Sequence, residues 1–175
     1  MRRPRQLDNA EELHAAAVRA LMRRAHSIYE MRRALERRCS DEDLVRAELD
    51  RLKESKLLDD ARYAREFARN HAAIRRQGRF RISQELRRRG VPDRHIESAL
   101  DEVFAAHDEA ALIRQRLERK LRLLRGPLDE RRIASLYRSL LRAGFSPDQV
   151  RTAINTIARG AALDPEDAAP DTAES

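Results

Sequence analysis

A hydrophobic frame written three times is the strongest constraint on this chain. With Cys39, Gly90 and Gly144 set as equivalent, Leu35, Leu86 and Leu140 stand four residues earlier, and Met31, Ile82 and Leu136 eight earlier. Val45, Ile96 and Val150 follow six residues later; Leu49, Leu100 and Ile154 ten later; Leu52, Val103 and Ile157 thirteen later. A unit of roughly 50–55 residues repeated in this way points to a helical array or tandem small domains, not to a compact enzyme. Spacings of three and four place Leu44, Val45, Leu49 and Leu52 on one helix face, and Ile96, Leu100, Val103 and Phe104 on another. Both sets are read as core.

Stop and start signals divide each unit into helices. Leu13 to Arg24 reads as the first. Ser27 caps the second, with Glu30 at the capping-box position. Cys39-Ser40-Asp41 breaks the chain, and a third helix runs to about Glu54. Asp59 and Asp60 open the next unit, where both acids are placed to cap a helix beginning near Ala61. Leu57 and Leu58 are expected to pack beside them and make the joint firm. Gly78 separates that helix from one carrying Ile82 and Leu86, which Gly90-Val91-Pro92 ends. The last unit begins near Asp108. It breaks at Gly126-Pro127 and restarts after Gly144-Phe145-Ser146-Pro147, with Gln149 at the box position. The expectation is all-α: three three-helix modules at 13–58, 59–106 and 107–159. A disordered basic arm (1–12) precedes them and a disordered acidic tail (160–175) follows. A module of about 50 residues is marginal alone, so neighbours should bury apolar surface against one another.

The chain has 175 residues, 41% of them hydrophobic and 38% charged, with five glycines and no tryptophan. That composition suits helices and disfavours a sheet. Net charge is +7, yet Asp164, Glu166, Asp167, Asp171 and Glu174 fall in the last twelve residues without a base. A basic body suits an anionic partner. One cysteine makes neither an intrachain disulfide nor, alone, a zinc site. No apolar run is long enough to span a bilayer, and no apolar core follows the basic start. A cytoplasmic protein is expected, with no membrane partner.

Three stretches are more specific. Arg24-Ala25-His26-Ser27-Ile28-Tyr29-Glu30 precedes the first break, and Leu58-Asp59-Asp60-Ala61-Arg62-Tyr63-Ala64 joins the first two modules. The run from Gly78-Arg79-Phe80-Arg81-Ile82-Ser83 to Arg87-Arg88-Arg89-Gly90-Val91 fills the second module. With Gly144-Phe145-Ser146, these resemble the RecX family of bacterial recombination regulators over about residues 13–158. The resemblance implies an elongated, curved array that binds the RecA recombinase filament on DNA and restrains its ATP hydrolysis and strand exchange. It implies a non-enzymatic modulator, mainly an inhibitor, acting in recombinational repair and the SOS response, as a monomer and without a cofactor. Cys39 departs from the glycine of the other two modules. The alternative is a regulator that binds nucleic acid directly, sequence-independently, through helix-turn-helix-like units.

Catalysis finds no support. His14, His26, His71, His95 and His107 are scattered, there is no phosphate loop, and Ser27 and Ser83 lack a nearby base. The arginines carry the site expectation. Arg75, Arg76, Arg79 and Arg81 surround Gly78 and Phe80, and Glu66 and Glu85 are their nearest acids in sequence. Arg87, Arg88 and Arg89 follow one helix later. A second basic run supplies Arg116, Arg119 and Lys120. Guanidinium groups grip carboxylates and phosphates through two bonds at once, so these nine arginines, with Lys120 beside them, are the expected contacts to partner protein or DNA.

Overall fold

The computed structural model describes residues 7–106, 108–124 and 128–163, with side chains as far as residue 157. Among the described residues there are nine helices and no strand. They are α1 (Ala10–Arg23), α2 (Ile28–Glu36), α3 (Glu42–Glu54), α4 (Asp60–Ala73), α5 (Arg79–Arg88), α6 (Asp93–Ala106), α7 (Glu109–Leu121), α8 (Glu130–Arg142) and α9 (Pro147–Leu163). Close helix packing falls within the triplets α1–α3, α4–α6 and α7–α9. The expected Gly126-Pro127 break, residues 1–6 and residues 164–175 lie outside the described residues.

Local chemistry sets most boundaries. Glu30 N–H donates to Ser27 Oγ (3.1 Å) and Ser27 N–H to the Glu30 carboxylate (3.2 Å), completing the capping box. Asp41, Asp59, Asp108 and Asp129 each accept from an amide in the first turn of the helix that follows. α1 begins earlier than Leu13, because Asn9 caps it by accepting from Glu12 N–H. α9 runs past residue 159 to Leu163.

The repeated apolar positions are the core. Met31, Leu35, Leu49 and Leu52 pack with Leu13 of α1 in one cluster. The second and third triplets share a single continuous cluster: Ile82, Leu86 and Ile96 lie in it beside Leu117, Leu140 and Val150. Each fully buried leucine or isoleucine contributes about 1.5–3 kcal/mol relative to exposure. Leu44 and Phe104, read as core, are only half-buried at its edges.

The three middle helices α2, α5 and α8 meet end to end. The carbonyl of Arg89, just after α5, accepts from Ser27 Oγ, just before α2. The carbonyl of Ala143, just after α8, accepts from Gly78 N–H, just before α5 (2.8 Å), and Phe80 N–H donates to the Gly144 carbonyl (3.2 Å). Each joint thus sets the electronegative end of one helix against the electropositive start of another. Glycine is required there. Gly90 (φ +71°) and Gly144 (φ +91°) are left-handed, and a Cβ on either would overlap Tyr29 or Arg81 of the adjoining triplet. Gly78 has ordinary dihedrals, but a Cβ on it would strike the Gly144 backbone.

Cys39 tolerates a side chain because its turn differs. Val91 and Phe145 N–H groups reach the carbonyls of Leu86 and Leu140, five residues back. The matching Leu35 carbonyl takes Cys39 N–H, four residues back, and Cys39 has no left-handed φ. Its side chain is buried in the first core.

The arm and the inter-module joint need correction. Leu7, assigned to the arm, is buried in the first core, and its N–H donates to the carbonyl of Arg38 (2.7 Å). Arg38 precedes Cys39 as Arg89 precedes Gly90 and Ala143 precedes Gly144. Leu7 therefore fills the joint position that an adjoining helix start fills elsewhere. Asp60 does not cap its own helix: it is buried, and its Oδ1 accepts from Ile28 N–H at the start of α2 (2.9 Å). Leu58 packs in the first core as expected, whereas Leu57 is 45% exposed.

Candidate partner interface

The turn between α4 and α5 builds the site. α4 ends at Ala73, Arg76 adopts a left-handed φ of 48°, and Gln77 folds inward. Gln77 Oε1 lies 2.6 Å from His71 Nδ1, and its Nε2 donates to Glu85 (3.4 Å). The His71 ring stacks on Phe67 at 3.7 Å. Burial, above all, holds the His71 pKa down, against the raising effect of its Gln77 bond. Behind this anchor the turn is fixed and Arg75 is left in solvent.

Across the joint, α7 locks the same turn from the third triplet. Arg116 Nη1 donates to the carbonyls of Arg75 (3.1 Å) and Arg76 (3.2 Å), and Arg76 Nε donates to Gln115 (3.2 Å). Burial lowers the Arg116 pKa, and Arg119, Arg81 and Arg76 press on it as like charges. Its Nε is buried with no hydrogen-bond partner among the described residues. The two basic runs, about forty residues apart in sequence, therefore converge on Arg116. Among the described residues no carboxylate stands within ion-pair distance of Arg75, Arg76, Arg116 or Arg119. Lys120 follows on the same helix, half-exposed.

The other expected contacts have internal partners, some remote in sequence. Arg79 pairs with Asp101, and its N–H donates to Glu109 (3.3 Å). Arg81 pairs with Glu85 (3.0 Å) and donates to the Arg142 carbonyl (3.0 Å), while Arg87 pairs with Asp93 (2.7 Å). Arg89 turns to the first triplet. It pairs with Glu30 (2.9 Å), donates to Tyr63 Oη (3.3 Å) and lies over the Phe67 ring at 4.9 Å. Arg88 is exposed.

Phe80 is 62% exposed on α5 and lines two clefts. On one side is an apolar cleft of about 740 Å³ between Ile96, Leu100, Leu141 and Phe145. On the other is a basic cleft of about 220 Å³, where Arg81 and Arg88 meet Arg142. The sequence alone places Phe80 among the arginines without making it a contact, and it leaves out Arg142. Arg142 was recoverable, because it stands two residues before Gly144 as Arg88 stands two before Gly90. Nothing in the sequence marks Phe80 as exposed rather than core.

Among the described residues no three metal-ligating side chains gather, and no helix is long and apolar enough to cross a membrane. The arrangement can bind anionic and apolar groups side by side.

Comparison with known proteins gives the same fold and a family. The model of the second three-helix domain of RecX matches residues 59–100, and that of the third matches residues 107–154. A regulatory protein RecX from Halorhodospira halophila is 39% identical over 145 residues, covering 82% of this chain and 87% of that protein. One from Treponema pallidum (strain Nichols) is 35% identical over 150 residues, covering 86% and 88%. The crystal structure of RecX from Lactobacillus salivarius superposes with a TM-score of 0.68 at 20% identity, over 86% of this chain and 97% of that one. Identity at this level, spread over four-fifths of the sequence and both of its C-terminal triplets, means that the chain belongs to the RecX family of regulatory proteins.

Proposed function

We propose that this chain is a non-enzymatic modulator, mainly an inhibitor, of the RecA recombinase. It binds along the RecA–DNA filament as a monomer in the cytoplasm and restrains ATP hydrolysis and strand exchange in recombinational repair and the SOS response. The observation that carries this reading is the convergence of two basic runs on Arg116 across the joint of the second and third triplets. The guanidinium groups of Arg76, Arg116 and Arg119 gather there without carboxylate partners among the described residues, and Phe80 is exposed on α5. Such a surface suits a partner that offers acidic side chains or phosphates together with apolar contacts. Arg75, Arg76, Arg116 and Arg119 are the direct contacts on this reading, with Lys120 and Arg88 at the rim. Arg79, Arg81, Arg87 and Arg89 shape the surface through their internal pairs.

The test uses purified recombinase on single-stranded DNA. Added protein should slow ATP hydrolysis and strand exchange in proportion to its binding. Unchanged rates at excess protein, with no association with the filament, would refute the reading. Direct DNA binding is the second possibility, favoured by the same uncompensated arginines. It would show as equal affinity for bare and RecA-coated DNA and a steep loss of both with salt.

A further inference from the structure

A second gathering of arginines lies at the joint of the first and second triplets. Arg24 follows α1, Arg75 follows α4 and Arg89 follows α5, and all three line one cleft of about 320 Å³. Asn70 and His71 of α4 line it too, beside Tyr63 and Phe67. We propose that this cleft binds the phosphate of a phosphate monoester, carried by a free nucleotide or by the 5′ end of a strand. The site stands on the chemistry of the cleft and needs neither recombinase nor filament.

Its guanidinium groups are held before any anion arrives. Glu30 takes Arg24 through both terminal nitrogens (3.0 and 3.2 Å) and Arg89 through one (2.9 Å). Arg89 is fixed further by Tyr63 Oη (3.3 Å) and by the Phe67 ring beneath it. Arg75 leaves a turn whose carbonyl Arg116 holds (3.1 Å). Its own side chain is exposed and makes no hydrogen bond or ion pair among the described residues. Groups fixed in place lose little freedom when a ligand binds.

Charge favours a dianion. Arg24 and Arg89 share the single carboxylate of Glu30. The other acid of the cleft, Glu66, is exposed, and among the described residues it pairs with none of the three arginines. A positive surplus therefore remains, centred on Arg75. A monoester near pH 7 carries about −1.5 to −2 charges and three unsubstituted oxygens, whereas a backbone phosphodiester carries a single charge. Donors arriving from the ends of three helices suit the group with more oxygens to offer. His71 reports on occupancy. Burial chiefly, with the Arg75 and Arg89 charges adding to it, lowers its pKa against the Gln77 bond and Glu85. Arg24 and Glu66 share the cleft with it. A dianion among these arginines offsets their repulsion and lets the ring take its proton more readily.

The full chain is titrated with deoxythymidine 5′-monophosphate at low ionic strength and followed by NMR. Signals of residues 24, 70, 71, 75 and 89 should move together, and the His71 ring should titrate at higher pH with the nucleotide present. Deoxythymidine, which lacks the phosphate, should move none of them. Arg75→Gln should weaken binding roughly 5–10-fold. Glu66→Gln should tighten it roughly 2–3-fold. Both side chains are exposed, so both variants should fold as the parent does. A short oligonucleotide with and without a 5′ phosphate separates the two carriers: a response to the phosphorylated strand alone assigns the strand end, and a response to the mononucleotide alone assigns the free nucleotide. Four results overturn the proposal: no shift by about 10 mM nucleotide, shifts spread over remote arginines such as Arg81 and Arg142, binding indifferent to Arg75→Gln, or binding weakened by Glu66→Gln. Equal response to both oligonucleotides with none to the mononucleotide also overturns it, since the cleft would then read the backbone.

Discussion

Replacing Gly78 with alanine isolates the joint between the second and third triplets. The dihedrals of Gly78 (φ −78°, ψ 165°) suit any residue, so the backbone itself gives no reason for glycine. At a helix start, glycine to alanine costs about 0.5–1 kcal/mol by cap preference alone. The added methyl, however, would overlap the Gly144 carbonyl and crowd Phe145 N, both main-chain atoms that cannot rotate aside. The joint must part, and with it the bonds from Gly78 N–H to Ala143 and from Phe80 N–H to Gly144. Each is worth about 1 kcal/mol net. The expected loss is therefore about 2–3 kcal/mol by urea denaturation followed by circular dichroism. Hydrogen exchange should locate it: the amides at positions 78 and 80 lose protection while those of α2 and α3 keep theirs. A loss under about 0.5 kcal/mol with both amides still protected would refute the reasoning. Gly144→Ala should cost more, because the left-handed φ adds about 1–2 kcal/mol to a similar clash.

Exchanging the exposed Arg75 and Arg119 for glutamine should leave stability within about 0.5 kcal/mol per site, yet weaken filament binding and flatten its salt dependence; unchanged binding by a folded variant would show a solvated face only. Leu7→Ala should lower stability by about 2–3 kcal/mol, chiefly in the first core, whereas a loose arm would show no change in the melt. Burial raises the Asp60 pKa despite the Ile28 N–H bond, so the native state binds the extra proton and stability falls as pH rises from the ordinary carboxylate value through the raised one. Asp60→Asn keeps an acceptor for Ile28 and should abolish that slope, which pH-dependent urea titration would reveal. The His71 pKa is depressed, so the unfolded state takes its proton first and stability is lost as pH falls below the ordinary histidine value. Exchange of the α4–α5 turn should quicken below about pH 6 in the parent and not in His71→Gln.

The periodic positions were legible because burial follows a helical period: Leu86, Ile96 and Leu140 needed nothing beyond spacing. Caps such as Ser27 and Asp59 were legible because their partners lie within three residues. What failed was everything set by chain segments far apart. Asp59 and Asp60 look alike in sequence, and only the approach of α2 makes one a cap and the other a cross-joint acceptor. Arg89 belongs to an arginine run, but Glu30 and Phe67, remote in sequence, turn it inward. The convergence of Arg76 and Arg119 on Arg116 depends on how the last two triplets seat, which no local pattern encodes. Leu7 was missed because a single leucine near a basic start has no period to betray it.

The end-to-end seating of α2, α5 and α8 gives the molecule a direction. Each joint pairs a helix end with a helix start, two unlike surfaces, so the array has no internal two-fold and reads differently from its two termini. Leu7 closes one terminus by standing in for a helix start. At the other, α8 begins with Asp129 as its cap, three residues ahead of the place that Gly78 holds on α5 in the repeat, so an added helical turn stands where a fourth unit would seat. A body of this kind is an arrow of fixed length. Laid against any partner that is itself polar, it can match subunit to subunit in one sense only, and reversing it would exchange every helix start for a helix end.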